Sequence, residues 1–571
     1  MTSYKKSKLR PFSIIAIFFI FASFLLSVYL FRNPKSILKS EAAGVTFSVG
    51  SAGGLTFYRT NFATEAQPVR CWAKAAPQGF YDSATNKTFV VYGAGIDGAS
   101  NVSGINYSEV NPYVIAYNHG TKAWVGPVLV SNVSKPNKDC HYYSQIIKDK
   151  NGYLHVFYSF HSSGNIKHFV SRNPGDITSW NTLSDIPNTS LSAYANALVD
   201  NQGEIYVFYR STEWDGKIRD SNPNTNNYYE LEMYVKSTDA GKSWTNPRVF
   251  IDPGEPIQEY NSPLTTVANT TGWNTIYTGD YYQDFSNNQV YITFTPGYVH
   301  SVKFDSLYIF KFSLTTDKAY SMKGTDLGST VDFNEYSSAK CCTLTSPSGV
   351  VTTEFADKYA VGSSSTFLIE NGFPVVYFSA FKSYNGGSPD SENYYKSGEN
   401  RLKKALWGGN EFNPYWVITY VGETDNVNSD PFANVNAVIG ADYKSGEGTT
   451  LYVKSKQGGN IAYLPPDACV DSNNDGKVTW PVDECYQYPA KAYVNNKPGS
   501  GGQWQNTYLF GDHRDWEVRG VSNFGLIRNA HPAIRGWLVV PKYTTNADST
   551  GPDFSKQYAI GAHYVLGSQP F

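Results

Sequence analysis

From about residue 45 onward, apolar and polar positions alternate in short runs separated by clusters of Gly, Asn, Asp and Pro. The period is close to two, that of a strand, and no stretch holds the 3.6-residue period of an amphipathic helix. Three runs share one pattern. Gly152-YLHVFYSF, Gly203-EIYVFYRS and Gly372-FPVVYFSA each follow a polar turn, DKN, DNQ or EN. The first two glycines are 51 residues apart, about the length of one four-stranded propeller blade. Fainter copies are NKTFVVYG near 86–93, NNQVYITF near 287–294, GTTLYVKS near 448–455 and RGWLVVPK near 535–542. The pattern predicts an all-β chain folded as a β-propeller of six or seven blades over 45–571. A ring of blades protects sheet edges and leaves a central axis.

A turn motif points the same way. Ser237-TDAGKSW, ending at Trp244, has the form S-x-D-x-G-x-S/T-W, known as an Asp-box. Its Asp accepts backbone N–H bonds, its Gly permits the bend and its Trp packs beneath. The expected role is structural, on the outer hairpin of a blade. Ser171-RNPGDITSW reads as a degenerate relative.

One segment breaks the strand rhythm. Residues 12–31 are continuously apolar over about one bilayer thickness, and Lys5, Lys6, Lys8 and Arg10 precede them. Positive charge stays on the cytoplasmic side, so the propeller is expected outside the cell, secreted or membrane-anchored. Residues 1–44 thus read as a basic stub, an apolar helix serving as signal peptide or transmembrane anchor, and a short linker. The apolar run is long for a signal core, which favours an anchor. If uncleaved, it makes the membrane a partner.

Composition adds little to the fold and more to the chemistry. Charged residues are 17% of the chain and net charge is −2, so no basic surface for nucleic acid is implied and no nucleic-acid partner is expected. Aromatics reach 16%, a bias that suits pleated sheets and the apolar faces of sugar rings. Six cysteines, Cys71, Cys140, Cys341, Cys342, Cys469 and Cys485, permit disulfides in an exported chain. Cys469 and Cys485 bracket an insertion, 469–485. There Asp471, Asn473, Asp475 and Gly476 copy the start of a calcium loop, but Val482 stands where its twelfth-position carboxylate belongs. A structural Ca2+ and a plain disulfide-closed loop are both open. No cofactor is expected for the chemistry itself.

The candidate site comes from hairpin arithmetic. His141 lies ten residues before Asn151 and His161 ten after it, so a hairpin folded at Lys150–Gly152 places both at its open end. Tyr194 and Arg210 stand likewise eight residues either side of Gln202. Neighbouring inner strands converge on a propeller axis, so the four groups can share one pocket. Imidazole and phenol move protons, and Arg pairs a carboxylate through its planar fork. The set suits β-elimination on a uronic acid, in which the C5 proton is removed and the C4 oxygen expelled.

The stretch from about 140 to 300 resembles the BNR-repeat propellers that include ulvan lyases and related uronic-acid polysaccharide lyases. The resemblance is carried by His141, DKNGYLHVFYSFH ending at His161, DITSW ending at Trp180, Tyr194, and YVFYR ending at Arg210. It implies a seven-bladed fold and an acidic, ulvan-like substrate, sulfated or not. It makes His141 and Tyr194 base and acid in either order, and His161 and Arg210 the groups that neutralise the uronate. Tyr260 in QEYNSPL matches a further active-site tyrosine loosely. The segment PNKDC before His141 and most of 301–571 depart from the family beyond strand rhythm. Two other readings stay open on the same scaffold: a glycoside hydrolase of the rhamnose–glucuronate type, and a non-catalytic glycan-binding surface propeller.

Overall fold

The computed structural model describes residues 46–66, 78–95, 110–133, 143–160, 163–211, 230–252, 275–297, 307–332, 359–382, 400–408, 416–423, 438–454, 490–496, 503–510, 525–532, 537–544 and 560–567. The apolar run at 12–31, all six cysteines and the insertion with Asp471, Asn473 and Asp475 lie outside these residues. Among the described residues every regular element is a strand, and no helix is long and apolar enough to cross a membrane.

The strands form six antiparallel-dominated sheets, laid out in chain order as the blades of a propeller. The second blade is Tyr143–Lys148, Leu154–Ser159, Lys167–Ser171 and Trp180–Thr182. The third is Ser192–Val199, Ile205–Ser211, Leu231–Ser237 and Arg248–Asp252, with Val331–Asp332 added in parallel at its edge. The fourth opens with Thr275–Asp284, the fifth with Tyr359–Glu370 and the sixth with Val438–Lys444. First strands of neighbouring blades pack beside one another, as Ser192–Val199 does on Tyr143–Lys148 and Thr275–Asp284 on Tyr359–Glu370.

The expectation of seven blades is corrected to six. All seven copies of the sequence pattern do form strands, but two of them share one sheet. Lys87–Gly95 and Trp537–Thr544 both belong to a nine-stranded sheet that unites the ends of the described chain. Gly525–Arg528 runs parallel to Gly79–Asp82 in its middle, Ile527 opposite Gly79, and fuses what repeat counting takes for two blades. A side chain at Gly79 would meet the Phe89 carbonyl of the neighbouring strand at 2.5 Å and Ile527 Cγ1 across the join at 3.1 Å, so this position takes a residue without a Cβ.

The repeated turns explain why these hairpins form. Asp149 Oδ1 accepts the backbone N–H groups of Asn151 and Tyr153 at 2.9 and 2.8 Å. Asp200 Oδ1 does the same for Gln202 and Glu204 at 2.9 and 2.7 Å. Gly152 and Gly203 follow at φ +87° and +86°, a region that a side chain makes costly. The second strands that leave these turns are buried along their whole length, Leu154–Ser159 and Ile205–Ser211 alike. Their faces fill cores between blades. Phe157 and Ile147 meet Ala195, Ala197 and Val207 between the second and third, and Phe208 and Tyr234 meet Ile292 and Phe312 between the third and fourth.

The Asp-box lies where expected, on the outer hairpin of the third blade between Leu231–Ser237 and Arg248–Asp252. Asp239 accepts from the Ser243 N–H at 2.9 Å and the Ser243 hydroxyl at 2.6 Å, and Ser237 Oγ accepts from the Gly241 N–H at 2.8 Å. Trp244 packs edge-on against Phe157 and His168 of the second blade. The sequence beginning at Ser171 builds the same corner one blade earlier. There Asp176 accepts from the Thr178 N–H at 2.8 Å, and Trp180 Nε1 donates to the Ile177 carbonyl at 2.9 Å.

Candidate active site

The site begins with an irregularity in the first strand of the third blade. Ala193 pairs with Arg210 and Asn196 with Phe208, so Tyr194 and Ala195 together stand opposite Tyr209. This is a β-bulge, which re-aims the side chain it carries. Tyr194 adopts φ +56°. Of the described non-glycine residues at positive φ it is the one inside a strand, the other eight lying in turns. An aromatic residue held there is strained, and such strain persists where the surroundings impose it. Asn196 contributes, its Nδ2 donating to the Tyr194 carbonyl at 3.0 Å. First strands of the fourth, fifth and sixth blades also shift register near their starts, and in the fourth the shift falls at Gly279.

The bulge turns Tyr194 onto Arg210. The guanidinium carbon lies 4.3 Å from the Tyr194 ring centre and 5.0 Å from that of Tyr277, on the first strand of the fourth blade. The two rings are 6.4 Å apart at 41°. Arg210 is 3% exposed and its Nη1 is 3.0 Å from Glu230 Oε2. Burial works against its charge, but Glu230, Tyr194 and Tyr277 more than offset that and hold its pKa above the ordinary arginine value. Its Nε has no hydrogen-bond partner among the described residues.

A second carboxyl stands close by. Glu232 is directly across from Arg210 in the strand pairing and is 1% exposed. Tyr281 donates its phenolic hydrogen to Glu232 Oε2 at 3.2 Å. Burial pushes the Glu232 pKa up to about 8, against the lowering pull of Arg210 and Tyr281. One guanidinium, two carboxyls and three phenols therefore meet at the open end of this hairpin and the facing strand.

Of the five site residues named from sequence, the structure describes two, Tyr194 and Arg210, and brings them into contact. His141, His161 and Tyr260 lie outside the described residues. The hairpin meant to carry the histidines has the expected register as far as it is described, with Tyr143 opposite Ser159. Sequence reasoning missed Glu230, Glu232, Tyr277 and Tyr281. The signal for the first pair was present: E-L-E-M-Y-V places acidic residues in an otherwise apolar strand. The tyrosines carry no such signal in a chain with 44 of them. Among the described residues no group of three or more His, Cys, Asp or Glu is placed to hold a metal ion.

Geometry of this kind sits in a segment with relatives. Residues 107–255 match the BNR repeat-containing family. That segment holds both Tyr194 and Arg210, along with the Asp-box. The chain is 25% identical over 243 residues to an ulvan lyase of Alteromonas sp. (strain LOR), across 38% of this chain and 45% of that one. It is 28% identical over 165 residues to an ulvan lyase of Pseudoalteromonas sp. (strain PLSV), across 25% of this chain and 30% of that one. Both matches span less than half the length of the relative. In three dimensions the likeness is broader. A polysaccharide lyase PL25 ulvan lyase solved bound to -[GlcA(1-4)Rha3S]- superposes with a TM-score of 0.52 at 16% identity, over 89% of this chain and 96% of that one. The propeller fold is thus shared well beyond the matched segment.

Proposed function

We propose that this protein is a polysaccharide lyase that cleaves a uronic-acid-containing polymer by β-elimination. The observation that carries the reading is Tyr194, strained at a bulge and held with its ring 4.3 Å from the Arg210 guanidinium. It puts a phenol that can move a proton beside a cation that can take a carboxylate. The relatives support it, since those matched in this segment are named ulvan lyases and one solved structure holds a glucuronate–rhamnose unit.

In the proposed reaction Arg210, with His161, draws charge from the uronate carboxylate. This acidifies the C5–H, otherwise a very weak acid. One of His141 and Tyr194 takes the C5 proton. Electrons move to form the C4–C5 double bond, the C4–O bond breaks, and the other residue protonates the leaving oxygen. Tyr260 is a further contact in this scheme. The substrate is an acidic polysaccharide met outside the cell, in keeping with export through the apolar segment at 12–31. Sulfation of that polymer is a finer proposal, suggested by the Rha3S unit bound in that solved lyase.

The test is to incubate the purified chain with a panel of uronic-acid polysaccharides and follow absorbance of the unsaturated uronate. Product with that chromophore is expected. Chain cleavage without it means hydrolysis, and binding without cleavage means a lectin; either result overturns the proposal.

A further inference from the structure

The proposed reaction, on which this inference rests, needs positive charge facing the substrate carboxylate. The described cluster holds one guanidinium and two carboxyls. Glu230 forms a contact pair with Arg210 at 3.0 Å, both nearly fully buried. Glu232 lies across the strand pair from the same arginine and is sealed from solvent. Were both carboxyls ionised, the cluster would carry a net negative charge in a buried place. That arrangement is costly in itself and repels an incoming anion.

We propose that Glu232 is a buried neutral acid that keeps its proton while the site works, so that Arg210 meets a uronate with one carboxylate partner rather than two. Glu232 is on this view a positioning residue. It touches no substrate, but it sets how much of the arginine charge is on offer. The groups that face it divide: Glu230 disfavours the anion, while Arg210, Tyr281 and Thr278 favour it. From its own strand end comes Glu230, a like charge that disfavours a second anion. From the second strand comes Arg210, already paired. From the fourth blade comes Tyr281, a hydrogen-bond donor, with Thr278 beside it. On the outer side the pairing partner is Ile251, which brings no charge. Burial of a side chain 1% exposed is the dominant influence; with Glu230 it outweighs Arg210, Tyr281 and Thr278 and lifts the pKa to about 8. Two nitrogens of Arg210, Nε and Nη1, make no hydrogen bond among the described residues, although Nη1 lies 3.0 Å from Glu230.

The experiment has two arms on the full chain, with wild type, Glu232→Gln and Glu230→Gln. The first is infrared difference spectroscopy between pH 7 and pH 9.5. Wild type should lose a protonated-carboxyl band that Glu232→Gln lacks altogether. Glu230→Gln leaves Arg210 with Glu232 as its described carboxyl neighbour, so its band should vanish at a pH at least about one unit lower. The second arm separates KM from kcat across the same range on a uronic polymer. Wild-type KM should climb about tenfold for each pH unit above about 8, and Glu232→Gln should remove that climb. A missing band in wild type, or an alkaline rise in KM that survives Glu232→Gln, overturns the proposal. A band that behaves as stated in a protein that turns over no uronic polymer supports the neutral acid and overturns the lyase reading instead.

Discussion

Two buried polar clusters in neighbouring blades look alike on a list of residues and differ in backbone strain and in where on the hairpin they sit. In the second blade Asp149, His155 and His168 form a chain. His155 Nδ1 and His168 Nε2 share a hydrogen bond of 2.9 Å, and Asp149 Oδ2 lies 3.4 Å from His155 Nε2. Asp149 also closes the hairpin turn through its other oxygen, and the Asp-box of the third blade sits on His168 from outside. Each group serves the fold, and burial holds His168 neutral, its pKa well below the ordinary value. In the third blade the cluster of Arg210, Glu230 and Glu232 sits at the open end of the hairpin. It carries a strained tyrosine and an arginine nitrogen without a partner. A buried polar group is therefore not a sign of function by itself. Nor is unmet bonding capacity, since His155 Nε2 and His168 Nδ1 also lack a hydrogen-bond partner; backbone strain, at the end where strands enter the axis, distinguishes the second cluster from the first.

The comparison breaks first at Tyr194. Tyr194→Phe keeps the ring, the cation–π contact and the bulge but removes the phenolic proton. Turnover of a uronic polymer should fall by at least about 100-fold, while Tm stays within a few degrees of wild type. Equal activity in the two proteins would leave Tyr194 as packing and place both clusters in the same structural class.

The opposite outcome is expected at the Asp-box. Gly241 has φ +81°, and a Cβ there would come within 2.2 Å of His168 Cε1. Gly241→Ala should lose about 2 to 4 kcal/mol of stability through strain and overpacking, read by urea unfolding. Its kcat at 25 °C should match wild type, because the second-blade cluster touches no reacting group. Asn196→Ala lies between these extremes. It removes the side-chain bond to the Tyr194 carbonyl and loosens the bulge without touching the phenol. About a tenfold fall in kcat/KM is expected, with about 1 kcal/mol lost in stability. A kcat/KM equal to wild type would show that the register alone holds Tyr194 in place.

How much of this was legible beforehand follows the same division. Hairpin turns were readable, because Asp149 and Asp200 with Gly152 and Gly203 are local devices in which a few neighbouring residues decide the conformation. The meeting of Tyr194 with Arg210 was readable for the same reason, as two positions counted from one turn. The count of blades was not. It depends on Ile527 lying opposite Gly79, a parallel pairing between residues some 450 apart that no local pattern encodes. Nor were Tyr277 and Tyr281, which reach the site from another blade and look like every other strand tyrosine. The positive φ of Tyr194 was hidden as well, since hairpin counting assumes a regular ladder and a bulge appears only when both strands are in view.

The smallest expected effect concerns acid. The folded-state pKa of His168 lies below that of an unfolded histidine, about 6.5, because burial disfavours the cation and His155 adds to this. Below that value the unfolded chain binds a proton that the folded chain refuses. Stability therefore rises with pH and is lost as pH falls below about 6.5, by at most about 1.4 kcal/mol per pH unit for this one group. His119, at about 4, and His531, stacked 4.1 Å apart just beyond strand ends of the nine-stranded sheet, act in the same direction. Asp149 adds to the loss only at lower pH, since its own pKa is depressed: burial, its largest influence, would raise it, but bonds from His155, Tyr153 and Asn151 outweigh that. The check is a set of urea unfolding curves from pH 7.5 to 5 for wild type and His168→Gln. The variant should show a shallower fall in stability with acid, by close to one proton. An unchanged slope would mean that His168 takes up its proton inside the fold, and the second-blade cluster would then be as unsettled as the third.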